Sequence, residues 1–211
     1  MKSHPMIFQS DSVRAILAGK KTQTRRIINR LKGFGYISDF QASDTKGYDW
    51  KFRCRRGLMH DIKQSELEKC LPYSVGDRLW GKETTICAEE HGYQEPIYVA
   101  SELGDAVLTS GLRPDADDHA DVEPHDIKLR SSMFMPRKFC RIELEIIGIR
   151  VERVQDISEA DAIAEGVEQG YGLRHVGFYQ DIWEKINGKK HPWASNPPVL
   201  TFEFKRVECP L

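Results

Sequence analysis

Apolar and polar positions alternate most legibly towards the two ends of the chain. The triplet Met6–Phe8 predicts a short strand. It runs into QSDSVRAILAG, where Val13, Ile16 and Leu17 share one helical face, Ser10 or Asp11 can cap, and Gly19 supplies a stop. VGDRLWGKETTI, residues 75–86, reads as a turn followed by a strand. In CRIELEIIGIRVERV, Ile142, Leu144 and Ile146 share one face, and Ile147, Ile149 and Val151 then take over. That slip of phase at Ile147–Gly148 is the pattern of a bulge. DISEADAIAEGV predicts a short helix opened by Ser158 with Asp161 three residues on, and closed by Gly166. A second helix follows in FYQDIWEKING, with Phe178, Ile182 and Ile186 as its apolar stripe. The closing VLTFEFKRV turns Leu200, Phe202 and Phe204 inward and Thr201, Glu203 and Lys205 outward, a half-buried strand.

The middle is patterned more weakly. Residues 33–72 are rich in Gly, Ser, Asp and Lys, which predicts an insertion with little regular structure of its own. Residues 88–135 are polar, with one strand expected at 97–100. Short strands flanked by short helices, with no internal repeat and no glycine-rich phosphate loop, predict an α+β fold. The expected form is a barrel-like single domain over 1–211, elaborated by the two insertions.

Composition narrows the class. With 211 residues, 40% of them hydrophobic and 30% charged, the chain is long enough to bury a real core. No apolar run approaches the ~20 residues that span a bilayer, so no membrane partner is expected. MKSHPMIFQS lacks a hydrophobic signal core, which makes the cytoplasm the expected location. The five cysteines (54, 70, 87, 140 and 209) contain no CxxC pair and read as free thiols. Cys54, His60 and Cys70 lack zinc-site spacing, and neither a metal nor a cofactor is expected.

Charge changes the picture locally. The totals nearly cancel, 31 basic against 32 acidic side chains. Yet residues 13–38 hold Arg14, Lys20, Lys21, Arg25, Arg26, Arg30 and Lys32 and no acid, while residues 114–126 hold six acids and no Lys or Arg. A local basic site on a neutral body suits a small ligand or a short RNA contact better than a long phosphate track. Clustered cations and burial both disfavour an ammonium, so GKKTQTRR can turn one lysine into a base. Were KTQTRR a continuous strand, Lys21 and Thr24 would point apart. Bringing them together requires a turn directly after Gly19, which glycine permits.

Gly19, Lys21, Thr22 and Arg26, followed by GDRLW, ISEADAIAEG and the final TFEFKRV, resemble the ASCH domain family over residues 5–27, 74–86 and 139–208. The resemblance implies a PUA-like β-barrel. Within that family the chain is similar to the bacterial N(4)-acetylcytidine amidohydrolases, with Lys21, Thr24 and Glu165 at the matching catalytic positions. The implied activity is a metal-independent hydrolysis of N(4)-acylated cytidine or cytosine. Thr24 would be the nucleophile, Lys21 its base and Glu165 the proton shuttle. Other family members bind or cleave RNA, which makes RNA the alternative partner to a nucleoside or nucleobase. Beside these, the planar fork of Arg26 can hold a carboxylate or a substrate carbonyl. Trp80 and Glu83 can line a pocket, the tryptophan stacking on a pyrimidine. Oligomeric state is not legible.

Overall fold

The computed structural model describes residues 1–113, 121–168 and 174–208. Most of the acidic run (114–120) and Cys209 lie outside the described residues. In chain order the strands are β1 (Ser3–Ile7), β2 (Gln23–Ile27), β3 (Arg30–Leu31), β4 (Gly35–Ala42), β5 (Trp50–Cys54), β6 (Met59–Ile62), β7 (Arg78–Lys82), β8 (Thr85–Ile86), β9 (Ile97–Tyr98), β10 (Leu129–Arg130), β11 (Glu143–Arg153) and β12 (Pro198–Val207). The helices are α1 (Ser10–Leu17), α2 (Gln64–Cys70), α3 (Glu102–Ser110), α4 (Glu159–Ala164) and α5 (His175–Asn187). The chain divides into two compact units. Unit 1 comprises Met1–Gly19, Arg78–Glu145 and Arg206–Leu211; unit 2 comprises Lys20–Asp77 and Ile146–Lys205.

In unit 1, β1 runs parallel to β7, and the first residues of β11 pair antiparallel with β7, Leu144 opposite Leu79. A small sheet orders β10-β8-β9. Behind it Ile86, Ala88, Ile97, Val107 and Leu112 form a core. α3 belongs here, and the polar composition of 88–135 hides it. Ser101 caps it by accepting a hydrogen bond from Gly104 N at 3.1 Å, and Gly111 ends it at φ 87°.

In unit 2, β12 pairs antiparallel with β2, setting Phe202 opposite Thr24 and Thr201 opposite Arg25. The core is Val154, Ile157, Ala162, Val167, Tyr179, Trp183 and Val199. A further sheet orders β3-β4-β5-β6. Residues 33–72 are therefore not irregular. In β5 Trp50, Phe52 and Cys54 are buried, while Lys51 is half-buried and Arg53 exposed, a period of two that the Gly- and Asp-rich surroundings mask.

The expected barrel is not formed. Among the described residues the largest sheet orders β1-β7-β11-β12-β2, and each of the three sheets is open, none closing on itself. The fold is α+β without a PUA-like barrel. The reason is general: alternation says which face of a strand is buried, but closure depends on non-local pairing that alternation does not encode.

Two faces also differ from expectation. α5 buries Tyr179 and Trp183, while Ile182 and Ile186 are exposed. The helix has apolar residues on two adjoining faces, and the aromatic pair with the larger area goes inward. On β12 Thr201 is fully buried beside the expected Phe202, because its hydroxyl donates to Glu152 Oε1 at 2.7 Å.

Candidate active site

Gly19, at φ 72°, turns the chain out of α1, and β2 begins only at Gln23. The turn needed after Gly19 is present. Thr22 is tied in two directions: its N–H donates to Ala164 O at 2.8 Å, and its carbonyl accepts from Phe204 N at 2.9 Å. Lys21 is thereby held beside the end of α4, off the alternation of the strand.

α4 is short and well closed. Ser158 and Asp161 form the expected capping box, Ser158 Oγ accepting from Asp161 N at 3.1 Å and Asp161 Oδ2 accepting from Ser158 N at 3.2 Å. Glu165 caps the other end. Lys21 Nζ lies 2.5 Å from Glu165 Oε2 and 2.6 Å from its main-chain oxygen, with both side chains 5% exposed. Burial lowers the Lys21 pKa below its ordinary 10.5; Glu165 opposes this, and Arg26 and Arg25 add to it. An amine in that setting sheds its proton more readily than a surface lysine.

Behind the pair stands a frame that the sequence did not reveal. The Arg25 side chain is wholly buried, with Nη1 3.3 Å from Glu165 Oε1 and Nη2 2.6 Å from Glu152 Oε1 and 3.3 Å from Asp161 Oδ2. Arg150 joins the same acids, Nε to Glu152 at 2.8 Å and Nη2 to Asp161 at 2.7 Å, and also pairs with Glu203. Glu165 is thus gripped from one side by a lysine and from the other by a guanidinium that is itself anchored. The available signal was the strand period: Gln23 and Arg25 alternate with Thr24 and Arg26, as Arg150 and Glu152 alternate with Ile149 and Val151.

Thr24 and Arg26 share the other face of β2, and Thr24 is 4% exposed. Among the described residues the hydrogen bonds of Lys21 Nζ both run to Glu165 and not to the Thr24 hydroxyl. Burial presses the Arg26 pKa downward, while Glu165, Tyr179 and Tyr73 act to raise it. A guanidinium stays charged under such pressure. The structure therefore joins Lys21 to Glu165, sets Arg26 in the field of Glu165, and puts Thr24 on the adjoining strand.

Trp80 and Glu83 belong to unit 1 and have their own partners there. Arg137 and Lys82 lie over the Trp80 ring at 5.2 and 5.4 Å, and Arg141 grips Glu83 through two bonds of 2.8 Å. Among the described residues no cluster of His, Cys, Asp or Glu could hold a metal ion. Among the described residues Cys54, Cys70, Cys87 and Cys140 form no disulfide, and His60 stacks on Phe52. No helix of the described residues is long and apolar enough to cross a membrane.

Comparison with protein-family models, with curated proteins and with solved structures found no match to this chain. With three open sheets in place of a closed barrel, the resemblance to the ASCH family is not upheld. The short motif around Gly19–Arg26 misled because a helix stop followed by a threonine-rich basic strand fits more than one fold. What remains is the site itself.

Proposed function

We propose that unit 2 is a metal-independent amide hydrolase for a small, uncharged N-acylated substrate, with N(4)-acylated cytidine or cytosine as the case to test. The observation that carries this reading is the buried contact of Lys21 Nζ with Glu165 Oε2. An amine whose pKa is lowered by burial can act as a base. Neutral Lys21 takes the Thr24 proton as its oxygen bonds to the acyl carbon. Arg26 offsets the charge that develops on the carbonyl oxygen. The C–N bond then breaks, and the departing amine takes the proton held by the Lys21–Glu165 pair. Water enters by the same relay, cleaves the Thr24 ester and restores the hydroxyl.

Charge pairing supports the substrate class. Lys21 is matched by Glu165, Arg25 by Glu152 and Asp161, and Lys20 by Glu168 at 2.6 Å. Cations matched in this way offer little net positive charge to a phosphate. An exocyclic amine on a pyrimidine, whose electrons spread into the ring, also leaves more easily than an alkyl amine. The same pairing counts against RNA tracking: of the acid-free stretch, Arg14 pairs with Asp105 at 2.7 Å, Lys20, Lys21 and Arg25 are matched as above, and Arg26 is buried.

The test is turnover of N(4)-acetylcytidine by the purified chain in EDTA, followed by ultraviolet absorbance. Turnover is expected, with an acyl adduct on Thr24 detectable by mass spectrometry after rapid quenching. Absence of turnover across a series of N(4)-acyl cytosines overturns the reading.

A further inference from the structure

We propose that unit 2 carries a second ligand site, a cleft that binds a small carboxylate with a planar apolar body and holds the carboxylate on Arg153. The inference does not rest on the hydrolase reading above. The cleft encloses about 680 Å³ and gathers three stretches that are far apart in the chain: 27–29 at the end of β2, 37–42 along β4, and 195–198 before β12. All of them belong to unit 2, as does Arg153, the last residue of β11. Cavities of roughly 300–1,000 Å³ take small organic ligands. The apolar part of the wall is Ile28, Ile37, Phe40, Pro197 and Pro198. Phe40 is fixed there by Trp50 and Phe52, with ring centroids 5.4 and 6.2 Å away, so its own ring presents a steady surface to a flat ligand.

Charge decides the polar end of the ligand. Asp39 and Asp44 line the cleft too, but each is matched, Asp39 by Arg53 Nε at 2.7 Å and Asp44 by Lys51. Arg153 is half-buried and makes no ion pair among the described residues. Its Nη1 donates to Asn196 O at 3.2 Å. Asp156, three residues on, accepts from the Arg153 main-chain N–H at 3.2 Å and not from the guanidinium. That leaves the Nε–Nη2 edge for a ligand, and two parallel donors on one edge are what a carboxylate fills.

The backbone around the cleft is shaped for it. Among the described residues, Asp39 at φ 51° and Asn196 at φ 45° are the two non-glycine residues in the left-handed region, and both line this cleft. Such conformations cost energy and recur at ligand sites. Asn196 is fixed twice, its side-chain oxygen accepting from Gln155 N at 3.0 Å and its main-chain oxygen from Arg153. At Asp39 the pairing of β4 with β5 slips between Ser38 and Gln41. β3 pairs with β4 only at Gly35 and Tyr36, so the remaining edge of β4 meets the cleft instead of a strand. A bulged edge resists an added strand, which favours a compact molecule over an extended peptide.

The experiment titrates the full chain with 2-naphthoate and with its neutral analogue 2-naphthamide by calorimetry, and maps the bound naphthoate through backbone amide resonances. Naphthoate is expected to bind at least about tenfold more tightly than naphthamide, with the amides of residues 38–42 and of Ser195 and Asn196 shifting most. Arg153→Gln should weaken naphthoate by roughly tenfold or more and leave naphthamide within about twofold. Equal affinity for the two probes, binding of neither, or naphthoate shifts confined to other residues overturns the inference. The wild-type comparison and the amide map need no variant, so they decide the matter even if Arg153→Gln fails to fold. Turnover of N(4)-acetylcytidine plays no part in the test, and the two readings stand or fall separately.

Discussion

Glu83 of unit 1 and Glu165 of unit 2 are each buried against a cation, and the two pairs are built differently. In unit 1 Glu83, 2% exposed, meets the Arg141 guanidinium fork to fork, and that guanidinium lies 4.0 Å over the Tyr98 ring. Both carboxylate oxygens are engaged by a group that does not release a proton. Tyr98 spends its own hydroxyl on Phe139 O at 3.0 Å. In unit 2 Glu165 is buried too, yet one of its oxygens faces an amine and the other a guanidinium at 3.3 Å. The first arrangement is a lock. The second has a proton that can move.

Exchanging the two cations gives the largest expected effect. Lys21→Arg retains the charge beside Glu165 but removes the only group of the pair able to become a free base. Its kcat on N(4)-acetylcytidine should fall by at least ~10³-fold, about 4 kcal/mol of barrier, while circular dichroism stays native. Arg141→Lys should leave kcat unchanged and cost about 1–2 kcal/mol of stability in a urea titration, through loss of the second bond to Glu83. A Lys21→Arg enzyme that turns over normally would show that the two pairs do not differ in kind.

How far such a distinction is legible beforehand depends on range. Local signals are the ones that read true. Ser158 with Asp161, the stop at Gly166 and the stop at Gly19 involve residues a few positions apart, and each forms as spelled. α3 had a local signal too, Ser101 before it and Gly111 after it, obscured by a polar neighbourhood. Sheet closure had none. Lys21 and Glu165 were found as separate candidates, but their contact spans 144 positions and only the chain path around Thr22 creates it. Arg25 escaped because a guanidinium in a basic stretch looks like surface charge, and its acids come from β11 and α4. The inward turn of Tyr179 and Trp183 escaped because Phe178, Ile182 and Ile186 also form a helical stripe, and which stripe turns inward is decided by the partner surface.

Neutralising the two acids sharpens the comparison at a smaller scale. Glu83→Gln leaves Arg141 charged and half-buried with no release, which should cost about 3 kcal/mol. Glu165→Gln leaves Lys21 able to relax by losing its proton, so its cost should stay near about 1–2 kcal/mol. Urea midpoints with a common slope measure both. Equal losses, or the reverse order, would show that Lys21 holds its proton as firmly as an arginine does.

The smallest expected effect concerns the frame behind Glu165, where Asp161 takes Arg25 and Arg150 together. Burial by itself would raise this carboxyl. The hydrogen bonds from the Ser158 side chain and backbone, the Arg25 charge and a bond from Gln23 outweigh it and hold the pKa at about 2, against an ordinary 3.8. A folded-state pKa below the unfolded value means that the unfolded chain binds the proton first as pH falls. The contribution is therefore fully present above pH 3.8 and is lost as pH drops towards about 2. The side chain is 21% exposed, and the depression corresponds to about 2 kcal/mol over that window. Asp161→Asn has no proton to take up, so its stability should decline less steeply between pH 4 and 2 than wild type does. Its amide oxygen can still accept from Ser158 N, which places any loss of capping in a constant offset between the curves and leaves their slopes to report the charge. Urea midpoints at four pH values across the window read the difference directly. Parallel curves would mean that Arg25 and Arg150 are neutralised by Glu152 and Glu203, with Asp161 serving only to cap α4.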